Sequence, residues 1–181
     1  MTLYAFALFL HVVGVLLLFT AFTAEGISLF HLRTATTSAQ VKEWQGVAGL
    51  ARMFGPASVV AILVPELHMM LTSWGWVPWI AVGLLAWLLI AILGAVNGIR
   101  LSLAMRNVAA DTATIQQLRS RSFLISWLTR IAIALAIVFL MTNKPDLVWA
   151  LLTVVIATAV GIAMGAVATR RVAIHEQARI G

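Results

Sequence analysis

The sequence predicts an all-α integral membrane bundle of five transmembrane helices, and three observations carry that reading. Of 181 residues, 62% are apolar and 10% charged, with mean hydropathy +1.04. Ordinary soluble domains are about 45–50% apolar and about 25% charged. The apolar residues also fall in runs of the roughly 20 residues that a helix needs to cross a hydrocarbon core of about 30 Å. Finally, the basic residues flank those runs. This composition excludes a water-soluble globule and a disordered tail. The absence of cysteine excludes a disulfide scaffold, thiolate metal sites, iron–sulfur clusters and a cysteine nucleophile.

A single transmembrane domain is expected over 1–181. The first span is placed at about 3–30, because Met1 to Ala24 carry no charged side chain and only His11 interrupts their apolar character. A secretory signal would have a basic start, a shorter apolar run and an A-x-A site, so this segment reads as a retained span with Glu25 near its far end. The second span, about 46–71, is polar for its role, with Pro56, Pro65, Glu66 and His68 inside it and Arg52 near its start. Ser73-Trp-Gly-Trp-Val-Pro78 then supplies a turn, and the third span runs from about 79 to 101. A polar connector follows from Arg106 through Asp111, Gln116 and Gln117 to Arg121. The fourth span is about 123–141, Asn143-Lys-Pro-Asp146 is a tight turn, and the uncharged stretch 147–169 is the fifth.

Charge placement tests the second span independently, since Lys and Arg collect on the cytoplasmic side. With five spans, every Lys and Arg except Lys144 and the intramembrane Arg130 falls on one side. Without the second span, the Arg33–Arg52 and Arg100–Arg121 groups would face opposite sides. The N-terminus is therefore expected outside and the C-terminus in the cytoplasm, in the inner (plasma) membrane. The net charge of +6 follows from this flanking pattern. A nucleic-acid partner, which would need a basic folded face, is not expected. Tyr4, Trp74, Trp76 and Trp79 fall at the outer boundary, as an aromatic belt does. No internal repeat, phosphate loop, H-E-x-x-H or G-x-S-x-G occurs.

Charged groups in a bilayer cost at least about 2.5–3.5 kcal/mol each on insertion scales, so each needs a partner or a task. In the outer half, His11 and His68 lie on different helices, the arrangement that ligates a haem iron or copper. Met69 and Met70 add soft thioethers, while Glu66 and His68, two apart, point nearly opposite ways. The alternative is that His11 bonds a neighbouring backbone or hydroxyl while Glu66 and His68 wet themselves at the interface. In the inner half, Glu25 and Arg130 are placed to form an ion pair. Arg130 or Arg100 is also a candidate to hold an anionic group such as a haem propionate, and Glu25 to relay protons. Asn97 lies near the same level. Gly94-x-x-x-Gly98 and Gly161-x-x-x-Gly165 permit close helix approach, either within the bundle or toward a homo-oligomer or partner membrane protein. His31 and Arg33 face headgroups, and His175 and Glu176 fall in a solvated tail.

The opening Leu8-Phe-Leu-His11-Val-Val-Gly14-Val-Leu, followed by small residues and then Glu25 and Arg33, resembles a family of small, uncharacterised bacterial integral membrane proteins. More distantly it is similar to the haem b-binding membrane protoporphyrinogen oxidase and the copper-resistance D domain, whose first span carries a similar histidine–hydrophobic–glycine pattern. The resemblance covers about 30 residues and implies His11 as a haem or metal ligand. The oxidase also uses a lysine within a span, whereas Lys42 and Lys144 here are both in loops. The expected function is a haem b redox or electron-transfer protein, with His11, His68 and Arg130 as candidate cofactor residues. The alternatives are copper or small-solute transport through His11, His68, Met69 and Met70, or a cofactor-free scaffold. Whether the protein is an enzyme is left open.

Overall fold

The structure is a computed structural model that describes residues 2–107 and 120–177. It forms five long helices: α1 (Leu3–Thr34), α2 (Ser38–Met69), α3 (Pro78–Asn107), α4 (Arg121–Asn143) and α5 (Leu147–Gln177). No strand occurs among the described residues. All five are long and apolar enough to cross a membrane. They overrun the expected spans because helical bonding continues into the polar residues past each apolar run. The expected connector residues Asp111, Gln116, Gln117 and Arg119 lie outside the described residues, as does Arg179.

Local chemistry sets the ends. Thr2 Oγ1 accepts from Ala5 N (3.3 Å) and Thr37 Oγ1 from Gln40 N (3.4 Å), capping α1 and α2; side-chain oxygens here satisfy amides left free by the first turn. α2 widens into a π-helical turn, Met70–Trp74, closed by Gly75 N donating to Met70 O at 2.7 Å. Gly75 sits at φ +66°, where a side chain would be strained. Pro78 then opens α3 at the position where its missing N–H costs nothing. Lys144 (φ 49°) ends α4 with its amide on Leu140 O (2.9 Å). Asp146 Oδ1 accepts from Trp149 N (3.0 Å) and starts α5.

α1 and α2 pack as one antiparallel pair and α4 and α5 as another, with α3 set chiefly against α4. Gly14 lets α1 press on α2: a Cβ there would lie 2.7 Å from the Ala61 carbonyl carbon and 2.8 Å from Ile62 N. Gly161 and Gly165 let α5 press on α4 in the same way, against Thr129 and Ile125. One apolar cluster holds the helix ends near the α1–α2 link together through Leu29, Leu32, Leu101 and Phe123. A second, around Phe22, Ile90 and Ile133, fills the middle. A third joins Val82, Leu140 and Ala150 at the opposite end, where the Lys144 ammonium stands 4.1 Å over the Trp74 ring.

Candidate functional site

Two polar places lie between the helices. The first is the α1–α2 seam. On α2, Ser58, Ile62, Pro65, Glu66 and Met69 are buried at helical spacing and make one stripe. Since α2 packs chiefly on α1, that stripe faces α1. His11 is 6% exposed, and its Nδ1 is 3.4 Å from Ile62 O. A carbonyl oxygen only accepts, so Nδ1 carries the proton and Nε2 keeps its lone pair. Pro65 has no N–H to give the ladder, which loosens α2 where His11 and Gly14 meet it. Glu66 is also buried, and its carboxyl has no hydrogen bond or ion pair among the described residues.

His68 does not join this seam. Six residues beyond Ile62, it lies about 9 Å along α2 and well round the helix from the buried stripe, and it is only partly buried. Met69 is the expected soft donor that turns toward α1, seven residues from Ile62, while buried Met70 begins the π-helical turn. Among the described residues no three His, Cys, Asp or Glu come together as a metal site.

The second place lies deeper along α1, where Arg130 Nη2 donates to Glu25 Oε1. Three features hold the pair. Trp127 lies against Gly26, where any Cβ would strike its ring, and Trp127 Nε1 donates to Phe22 O at 2.8 Å. The Phe22 ring is 5.5 Å from the Arg130 guanidinium carbon. Gly94 opens space for that guanidinium, because a Cβ there would lie 3.2 Å from Arg130 Nη1.

One turn further along each helix, the buried atoms Ser28 Oγ, Asn97 Nδ2 and Ser126 Oγ lack a partner, as does Arg130 Nε. Ser28 and Ser126 look like ordinary small residues in the sequence. Their placement shows only once Glu25, Gly94 and Arg130 are brought together.

His11 and Glu25 are fourteen residues apart on α1, about 21 Å. His11 and Arg130 accordingly belong to separate places, and Arg130 holds Glu25 in the ion pair expected from the sequence. Three of the four motif glycines serve packing within the bundle, one of the two readings that the sequence allowed. Gly161 and Gly165 are used against α4 and Gly94 against Arg130, so of the proposed partner-facing glycines only Gly98 meets nothing within 4 Å.

The fold and its bilayer-depth polar groups define a multi-pass integral membrane protein. No family model, curated protein or solved structure matches the chain.

Proposed function

We propose that this is a redox or electron-transfer protein of the bacterial inner membrane that holds haem b through His11. The carrying observation is the His11 ring itself. Metal-bound imidazoles commonly donate their other ring N–H to a backbone carbonyl, which fixes the tautomer and aims the free nitrogen. His11 has that arrangement, with Nδ1 on Ile62 O and Nε2 available to iron. The haem would supply a one-electron centre. His11 would hold the iron through Nε2 from the buried seam, and His68, turned away from that seam, would not be a second ligand. The small-residue contact at Gly14 fixes α1 against the carbonyl that orients His11.

Protein purified from cells with ample haem supply is expected to show a Soret band and bands that sharpen on dithionite reduction. His11→Ala removes them, and Lys144→Gln, at the exposed turn, keeps them. A colourless wild-type protein from such cells would sink the haem reading.

One observation favours a second reading. Glu66 and Met69 share the α2 stripe that faces α1, about one and two turns past the Ile62 carbonyl that His11 meets. Nitrogen, oxygen and thioether donors therefore follow one another along one seam as successive stations for a metal ion, and soft thioethers suit Cu(I). Stoichiometric copper in a colourless protein, lost in both His11→Ala and Met69→Leu, would replace haem chemistry with copper handling.

A further inference from the structure

Three arginines at the end of the bundle that carries the α1–α2 link have no acidic partner among the described residues. Arg33 lies in the last turn of α1, Arg100 two turns before the end of α3, and Arg121 begins α4. The apolar cluster draws these three helix ends together, because Leu32, Leu101 and Phe123 all belong to it and stand within two residues of the three arginines. Arg33 lies close enough to Arg121 for their charges to repel. Arg100 is seated 5.5 Å over the Phe123 ring, which fixes where its guanidinium sits. Arg33 Nη1 is buried with no hydrogen-bond partner. Among the described residues, none of the three forms an ion pair.

Like charges held near one another, with a buried donor left unpaired, cost free energy unless an anion is present. Guanidinium forks suit the oxygens of a phosphate group, which accept several hydrogen bonds at once and carry the compensating charge. We propose that Arg33, Arg100 and Arg121 form a binding site for a phosphate oxyanion, supplied either by an anionic phospholipid headgroup or by a soluble phosphate. The site stands apart from the His11 seam and does not rest on the haem reading. It gives the bundle a headgroup-level anchor joining α1, α3 and α4, the helices that also enclose the Glu25–Arg130 pair.

Native mass spectrometry of the detergent-purified protein, offered equal phosphatidylglycerol and phosphatidylcholine, tests the lipid source. Melting temperature in inorganic phosphate, against chloride at matched ionic strength, tests the soluble one. The wild type is expected to retain phosphatidylglycerol preferentially, to rise in melting temperature with phosphate, or both. Arg33→Gln and Arg121→Gln each reduce the response about tenfold, or about 1.4 kcal/mol, while Lys144→Gln at the opposite end leaves it unchanged. Phosphatidylglycerol selectivity without a phosphate response assigns the site to lipid, and a phosphate response without lipid selectivity assigns it to a soluble anion. Absence of both in the folded wild type overturns the proposal, as does an equal response in the folded Arg33→Gln protein.

Discussion

Glu25 and Arg130 show how much one residue pair decides in a low-dielectric interior. Their side chains are 14% and 5% exposed, and removing one partner leaves the other charged with no water to receive it. Arg130→Leu is expected to cost about 3–5 kcal/mol, and the double change Glu25→Leu/Arg130→Leu to recover most of that loss. Denaturant or thermal unfolding in detergent measures both. A double variant no more stable than the single one would show that the arginine acts by packing alone. The partnership was legible in the sequence because two opposite charges at similar depth have few other ways to be neutralised. The His11 contact was legible only as a type: its acceptor is a backbone carbonyl, which every residue has, so no side chain marks Ile62 as the partner. His68 misled because a histidine at the right depth carries no mark of which way its helix turns. The buried hydroxyls of Ser28 and Ser126 gave no signal at all, since serine is also a common packing residue between membrane helices.

At the scale of the helix, length and termination were readable and neighbours were not. Uncharged runs, Gly75, Pro78 and the Asn143–Asp146 turn placed all five elements. Continued hydrogen bonding through polar ends moved the boundaries outward, by as much as eight residues at the start of α2 and the end of α5. A small-xxx-small pattern says that something comes close, but not what. Gly161 and Gly165 meet the α4 backbone, where a Cβ would lie 2.5 Å from Thr129 Cα and 2.6 Å from Ile125 Cα. Backbone does not yield as a flexible side chain does. Gly161→Leu and Gly165→Leu are therefore expected to destabilise the single chain by about 1–3 kcal/mol without changing its oligomeric state. Gly98→Leu, with nothing within 4 Å, should leave stability nearly unchanged. Melting curves paired with size-exclusion chromatography separate these outcomes. Loss of an oligomer in either α5 variant, with the monomer's melting unchanged, would return that face to a partner.

At the scale of the whole molecule, helix order and charge together define two unlike ends. Lys144 and Trp74 meet at the end that holds the α2–α3 and α4–α5 turns. Arg33, Arg100 and Arg121 gather at the other. A bilayer with an anionic cytoplasmic leaflet favours the second end inside, which would place Lys144 outside. The orientation rests on α2 crossing the membrane, and α2 carries two prolines and Glu66. The α1-facing stripe explains part of how such a helix is accommodated: Pro65 and Glu66 are turned onto α1, away from lipid, while Pro56 stays exposed. The cysteine-free sequence permits a direct measurement, because any thiol label reports only an introduced residue. Ser73→Cys and Lys42→Cys are both at exposed positions, at opposite ends of α2. A membrane-impermeant maleimide added to intact spheroplasts is expected to label Ser73→Cys and spare Lys42→Cys until the membrane is opened. The reverse pattern would keep the five-helix bundle and invert it. Labelling of both from outside would mean that α2 does not cross, and the basic residues of its two flanks would then no longer share a side.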